Sequence, residues 1–352
     1  MNFLRNCWYM AAWGSDIGPD ALIPVTILDE PIVIYRKQDN TLAALEDRCC
    51  HRLVPLSVGR KEADEVRCMY HGIKFAADGR CTEIPGQDRI SPAVRVRSYP
   101  AVERHGAVWL WMGVPDMADE ALIPPIIGPN NPEWAVMASC MDIQANAQLI
   151  VDNVLDLSHA PYVHEASFGG GDETTIKTQI RGESGVQVTE LERGVQTMRW
   201  HLDRPSNPYT GDLNSDDLVM SQILAPGIFI LKIRVYKPGV QQRPMDEHGV
   251  PLEEPLFART TCQMITPVSD QYSKFFFTFG PSAALAHARE DFFRVGEQAF
   301  REDKAIIEEQ QRLINRTPNP RMMMLAMDVP VIRYNKIHER LLEQEATTQG
   351  VA

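Results

Sequence analysis

Two short clusters of metal-seeking side chains constrain this chain more than any other feature. Cys49-Cys50-His51 is followed, after sixteen intervening residues, by Cys68-Met69-Tyr70-His71. Each cluster pairs a thiol with an imidazole, as C-x-H and C-x2-H. Both must close on one centre, so the chain between them has to turn back on itself. The flanking sequence is suited to that. Val25-Thr26-Ile27-Leu28, Pro31-Ile32-Val33-Ile34-Tyr35 and Leu42-Ala43-Ala44-Leu45 are brief apolar or alternating runs, separated by Asp39-Asn40, Ala77-Asp78-Gly79 and Pro85-Gly86. Such runs between turn residues read as strands, and Ala107-Val108-Trp109-Leu110-Trp111 closes the block as another. An all-β module with two ligand loops at one end is expected.

The four ligands admit two chemistries. Cys2His2 is a structural zinc set, but zinc fingers pair like ligands, C-x2–4-C with H-x3–5-H. Here each loop mixes Cys with His, so each can give one ligand to each iron of a two-iron cluster. Two Cys on one iron and two His on the other define a Rieske [2Fe–2S] centre, with a potential of about −150 to +300 mV against about −400 mV for an all-Cys plant-type cluster. Gly72 after the second His suits a loop wrapped closely around the cluster, and Leu53, Val54, Pro55 and Leu56 supply an apolar wall. Cys50, adjacent to His51, is poorly placed to reach a different iron, so Cys49 is the better ligand. Cys81 fits a strand position and reads as structural.

The length of 352 residues suggests two domains. A net charge of −12 argues against a nucleic-acid or anionic-membrane surface. No apolar run reaches the roughly 18–20 residues of a membrane span; Ile223 to Ile233 is interrupted by Pro226, Gly227 and Lys232. The first residues lack a cationic segment followed by an apolar core, so no secretory signal is expected. Seven cysteines without a disulfide-framework spacing fit a reducing cytoplasm.

The stretch Ile123-Pro124-Pro125 to Pro132 reads as the domain junction, giving domains 1–125 and 126–352. Beyond it, residues 144–160 are helix-compatible, with Asn146, Leu149, Ile150, Asn153, Leu157 and Ala160 at three- and four-residue steps. Strands are expected at 185–189, 196–200, 227–231, 260–265 and 274–279, then a long amphipathic helix from about Ala286 to Ile314. Residues 206–217 and 237–254 read as polar loops. The second domain is therefore expected to be α+β.

Inside its first helical segment lie His159 and His164, spaced H-x4-H with Pro161 between them. On an unbroken helix of about 3.6 residues per turn, side chains five apart diverge by roughly 140°, so a break near the Pro is needed to bring both imidazoles together. Two His and one carboxylate form the open-faced ligand set of oxygen-activating non-haem iron enzymes. Asp156, Glu302 and Asp303 are the candidate acids.

With both motifs in place, the chain resembles the Rieske non-haem iron oxygenases, in particular the oxygenase components of the vanillate O-demethylase, dicamba O-demethylase and toluenesulfonate methyl-monooxygenase type. The resemblance runs over nearly the whole chain. It includes Asn6-Cys7-Trp8-Tyr9-Met10-Ala11-Ala12-Trp13, the cluster loops, Leu149 to Asp156 leading into the His pair, and Glu302-Asp303-Lys304. It implies an N-terminal all-β Rieske domain and a C-terminal helix-grip (START-like) catalytic domain. It assigns the cluster to Cys49, His51, Cys68 and His71, and the mononuclear Fe(II) to His159, His164 and Asp303. Asn153 matches a position beside the iron. Asp156 matches the acid that in relatives bridges a cluster His of one subunit, here His71, to an iron-ligating His of the next, here His159. A homotrimer follows, because the two metals of one chain are too far apart for efficient transfer.

The implied reaction is reductive activation of O2 with hydroxylation of a substrate C–H bond. At a methoxy carbon this gives a hemiacetal that loses formaldehyde. No nucleotide-binding motif occurs: Gly169-Gly170-Gly171 lacks G-x-G-x-x-G spacing and reads as a flexible loop. Electrons are therefore expected from a separate NAD(P)H-dependent reductase with flavin and plant-type ferredoxin domains. For an aromatic substrate, pocket positions are expected on strands bearing Ile228, Ile230, Lys232, Gln263 and Phe277 and near Arg294, with Gln263 and Arg294 as polar anchors. The alternatives are ring or methyl hydroxylation, N-demethylation, or a pure electron-transfer Rieske protein, which would leave His159, His164 and Asp303 without purpose.

Overall fold

Ile32, Val33, Ile34 and Tyr35 are all completely buried, and β-branched residues hidden on both faces belong in the middle of a small β-module. They form the centre of β3 (Glu30–Arg36), which pairs on one side with β2 (Ile23–Ile27) and on the other with β4 (Leu42–Glu46). The computed structural model describes residues 3–169 and 185–349. It divides into two compact units, Met1–Pro124 with Thr266–Asp270, and Pro125–Ile265 with Gln271–Ala352. The sequence-based boundary lies one residue from this division. What a single boundary does not express is the Thr266–Asp270 excursion, where Leu28 and Asp29 donate backbone N–H groups to Pro267 O and Val268 O, at 3.0 and 2.8 Å.

In the first unit, β1 (Trp8–Trp13) pairs with β11 (Ala107–Trp111), which also holds β10 (Ala101–Arg104); β9 (Ser98–Tyr99) extends the sheet of β2, β3 and β4. A second four-stranded sheet runs β5 (Arg60–Glu62), β6 (Glu65–Arg67), β7 (Lys74–Phe75), β8 (Cys81–Glu83). Val33, Tyr35, Leu45, Leu56, Val66 and Phe75 make one apolar cluster, and Cys49 and Cys68 are part of it. Both ligand loops are thus anchored in this apolar cluster.

The second unit is built on a seven-stranded antiparallel sheet. Its strands are β12 (Met137–Ile143), β13 (Gln187–Leu191), β14 (Gly194–Arg204), β15 (Ser215–Leu224), β16 (Ile228–Tyr236), β17 (Phe257–Ser269) and β18 (Tyr272–Pro281). Their spatial order is β12-β18-β17-β16-β15-β14-β13. Between β12 and β13 come α1 (Ala147–Leu155) and the short α2 (Ala160–Val163), and the chain ends with α3 (Arg289–Arg316) and α4 (Val329–Gln349). α3 lies against β18 and β12. Its buried stripe is Phe292, Gly296, Ala299, Phe300, Asp303, Ile307 and Gln311, a three- and four-residue rhythm that turns one face inward. Gly296 permits the close approach, since a Cβ there would stand 2.5 Å from the Phe279 ring. The helix-grip arrangement expected from the resemblance is what the structure shows.

In the second unit β12, β15 and α4 have no counterpart in the elements expected from the sequence. Residues 215–217 begin β15 instead of ending a loop. Ser215, Asp216 and Asp217 are polar yet buried, because Asp216 accepts from the N–H groups of Asp203 (3.0 Å) and Gly239 (2.7 Å), and Asp217 from Ser215 Oγ (2.9 Å). The reading assigned no element to α4, whose buried positions Val331, Tyr334, Ile337 and Leu341 are diluted by charged neighbours. Gly170 and Gly171 of the glycine run lie outside the described residues.

Candidate metal centres

The two cluster loops have the same backbone. Cys49 N–H donates to Val54 O at 2.9 Å and Leu53 N–H to Cys49 O at 2.9 Å; Cys68 N–H donates to Ile73 O at 2.8 Å and Gly72 N–H to Cys68 O at 2.9 Å. The residue four after each Cys is left-handed, Leu53 at φ 58° and Gly72 at φ 76°. Outside the loops, the buried Asp47 carboxylate accepts from Ser57 N–H and Oγ, both at 2.6 Å. Arg67 donates to Gly72 O at 2.8 Å while paired with Glu62 and Glu83.

Cys49 and Cys68 are buried, whereas His51 and His71 are exposed, with ring centroids 4.6 Å apart. Sulfurs inward and imidazoles outward suit a cluster with two unlike irons. A single zinc would draw all four ligands to about 2.0–2.3 Å from one point. The paired thiols and paired imidazoles fit the two unlike irons of a [2Fe–2S] cluster. Burial pushes the Cys49 thiol up to about 11, so bound metal is what would hold it as thiolate. Cys50 is exposed, and Cys81 is buried in β8.

The second centre lies where the helix breaks. α1 is capped by Asn146, whose Oδ1 accepts from Gln148 N–H at 2.8 Å, and ends at Asp156, with φ −94° and ψ 87°. A 3-10 turn over Leu157–His159 follows, and Pro161 then opens α2. The interruption therefore precedes the proline, which occupies a first-turn position where its missing N–H costs nothing. His159 and His164 end up with ring centroids 5.1 Å apart. Their Nε2 atoms are 3.2 Å apart, and Asp303 Oδ1 lies 3.3 Å from the first and 3.4 Å from the second. Such an even triangle has the roughly 3 Å edges of adjacent ligands around an ion bound at about 2.0–2.2 Å. The residues fit a mononuclear metal.

Neighbouring groups fix each donor. His164 Nδ1 meets Glu302 Oε2 at 3.0 Å, and the same carboxylate accepts from Ser167 Oγ at 2.7 Å and Gln298 Nε2 at 3.1 Å. Burial opposes ionisation of Glu302, but those hydrogen bonds outweigh it and hold the carboxyl below its usual range. Asn153 Nδ2 donates to Asp303 Oδ1 at 3.1 Å. His159 Nδ1 faces the backbone carbonyl of Asp156, not its carboxylate, which instead caps Ser158 N–H at 2.9 Å. The sequence reading held Glu302 only as a possible ligand; here it orients His164.

A cavity of about 180 Å3 opens beside the triangle. His159, His164, Asp303, Asn153 and Leu157 line one side, Phe279, Ala299 and Phe300 another, and the sheet forms the floor. The floor residues on β14 to β17 are almost all odd-numbered: Arg199, His201, Asp217, Val219, Phe229, Leu231, Ile233, Arg259, Thr261 and Gln263. Strand alternation explains this. Gln263 reaches the cavity as expected. Ile230, like Ile228 and Lys232, points to the other face and does not line it; Phe277 does not line it either. Arg294 is an exposed α3 residue paired with Asp291 at 2.9 Å, away from the cavity. Besides Gln263, the polar lining includes Arg199, His201, Arg204 and Arg259, which the sequence pattern did not single out. Their signal was the polar alternation Thr197, Arg199, His201 against Met198, Trp200, Leu202. Burial lowers Arg199 to about 10, and burial with Arg199, Arg204 and Arg259 lowers His201 to about 3.

Residues 7–100 match the Rieske [2Fe-2S] domain model, and residues 143–344 match the vanillate O-demethylase oxygenase C-terminal domain model. The chain belongs to the Rieske non-haem iron oxygenases. It is 34% identical to the toluene-4-sulfonate monooxygenase system iron-sulfur subunit of Comamonas testosteroni, over 97% of this chain and 98% of the relative. It is 29% identical to a vanillate O-demethylase oxygenase subunit from Pseudomonas sp., over 98% and 97%. A crystal structure of dicamba monooxygenase bound to 3,6-dichlorosalicylic acid superposes with a TM-score of 0.84 at 27% identity, covering 98% of this chain and 99% of the other. As an oxygenase of this family, the chain uses a Rieske [2Fe–2S] cluster and a mononuclear iron, with electrons from a separate reductase. Among the described residues no helix is long and apolar enough to cross a membrane.

Proposed function

We propose that this oxygenase O-demethylates a methoxylated aromatic acid. The observation that carries the reading is the His159–His164–Asp303 triangle opening onto a cavity with aromatic walls and buried arginines. The balanced reaction is ArOCH3 + O2 + 2e− + 2H+ → ArOH + HCHO + H2O. The cluster, held by Cys49, His51, Cys68 and His71, and the iron, held by His159, His164 and Asp303, supply electron transfer and O2 activation.

The chain's own groups do the rest. Phe229, Leu231, Phe279 and Phe300 pack an aromatic ring and exclude water. Asn153 holds the Asp303 oxygen, and Glu302 fixes the His164 ring and tautomer. Electrons arrive from an NAD(P)H-dependent reductase with flavin and plant-type ferredoxin domains. The working unit is a homotrimer in which Asp156 links His159 to His71 of a neighbouring copy. Family membership supports this, as does the second Asp156 oxygen, which forms no hydrogen bond among the described residues. Seven cysteines without a disulfide-framework spacing support a cytoplasmic location.

The relative named for toluene-4-sulfonate favours methyl hydroxylation as the second reading. Product analysis with a compatible reductase separates the two. Formaldehyde and phenol in equal amounts from a methoxybenzoate are the expected result. Hydroxymethyl products from methylbenzenesulfonates, with no formaldehyde from any methoxybenzoate, would replace demethylation with hydroxylation.

A further inference from the structure

The register of the cavity floor places two arginines on one line across the sheet. Arg199 of β14 stands opposite Val219 of β15, Val219 opposite Ile233 of β16, and Ile233 opposite Arg259 of β17. All four line the same cavity. Three strand spacings of about 4.8 Å put the arginine backbones roughly 14 Å apart, with short apolar side chains between them. Two long side chains rising from the ends of such a row can converge above its middle.

Each guanidinium keeps an unsatisfied nitrogen among the described residues. Arg199 is 7% exposed, and the Nε atoms of both Arg199 and Arg259 are buried without a hydrogen-bond partner. In the adjacent row, His201 stands opposite Asp217, with its Nε2 also unpartnered. Asp156 acts on Arg199 and Asp217 on Arg259 through space, but among the described residues neither arginine has a carboxylate in ion-pair contact, and Arg204 adds a third positive charge to the cavity lining. Leaving a buried cation unpaired is costly, and that cost is offset when the missing anion arrives with a ligand. A planar fork of donors also matches an oxyanion in two-point geometry.

We infer that Arg199 and Arg259 form an oxyanion-binding subsite, which takes the ionised carboxylate or sulfonate of an aromatic substrate over Val219 and Ile233. This rests on the oxygenase reading above and specifies its substrate as an anion. Arg199 and Arg259 are specificity-determining residues.

Calorimetric binding to the full-length, metal-loaded protein without O2 tests this apart from turnover. The probes are 4-methoxybenzoate, 4-methoxybenzenesulfonate and the neutral 4-methoxybenzamide. Both anions are expected to bind at least tenfold more tightly than the amide, and their ratio reports which acid the subsite prefers. Arg199→Gln and Arg259→Gln should each weaken the anions about 10- to 100-fold and leave the amide unchanged, with Arg199→Lys intermediate. Equal binding of amide and anions by the parent protein would overturn the subsite whether or not the variants fold. So would folded variants with undiminished anion affinity. Anion selectivity without formaldehyde release would count against demethylation alone, whereas demethylation of the amide as efficiently as the acids would count against the subsite alone.

Discussion

Glu302 and Asp303 are adjacent, yet they do different work because a helix turns about 100° per residue. Asp303 falls in the buried stripe of α3 and offers an oxygen to the triangle; Glu302 falls beside it and takes His164 Nδ1. A carboxylate behind a metal-bound imidazole is worth about 10- to 100-fold in metal affinity. Glu302→Ala is therefore expected to weaken Fe(II) binding by that factor in a titration of iron-depleted protein, with the cluster absorbance unchanged. Asp152 raises a different point. Burial and then the charge of Asp328 lift its carboxyl to about 6, against lowering hydrogen bonds from Gln148 and Asn335. The native chain keeps this proton up to about pH 6, whereas an unfolded chain releases it near 3.8. Its contribution to stability is therefore greatest at low pH and is lost as pH rises from about 4 to 6. Asp152→Asn removes the ionisation and is expected to stabilise the protein at pH 7.5 by up to about 3 kcal/mol. A melting temperature at or below the parent's at that pH would refute this.

At the scale of elements, the repeated loop is what makes the cluster site. Both loops need a left-handed residue four after the Cys, and only one has glycine there. A Cβ on Gly72 would also stand 2.8 Å from Pro85 Cγ, and left-handed backbone costs an L-residue roughly 1–2 kcal/mol. Gly72→Ala is expected to lower the acid-labile sulfide content, whereas Leu53→Gly, at an exposed position, should retain it in full. The two cluster loops were legible in sequence because their residue types and spacing are local. The third iron ligand was not fixed by spacing, although the helical phase of Phe292, Gly296, Phe300 and Ile307 places residue 303, not 302, inward. No strand was expected at β15, which opens on buried acids satisfied by backbone N–H groups and a serine hydroxyl, a tertiary effect that composition does not reveal. The arginine row was equally hidden. It depends on the register of four strands, and no single strand carries it.

For the whole molecule, two metal centres in one chain define the account, and their coupling is the proposed task of the oligomer. Asp156→Asn keeps the Ser158 cap and the backbone carbonyl that faces His159. It is expected to leave both centres loaded while turnover falls at least tenfold. Turnover at the parental rate would remove Asp156 from the electron path. The most direct test of the central claim is metal analysis of the purified chain beside Asp303→Ala. Three irons and two acid-labile sulfides are expected per parent chain, and two of each in the variant with an unchanged Rieske spectrum. Zinc in place of iron and sulfide, or a parent chain with only two irons whose count Asp303→Ala does not alter, would contradict it.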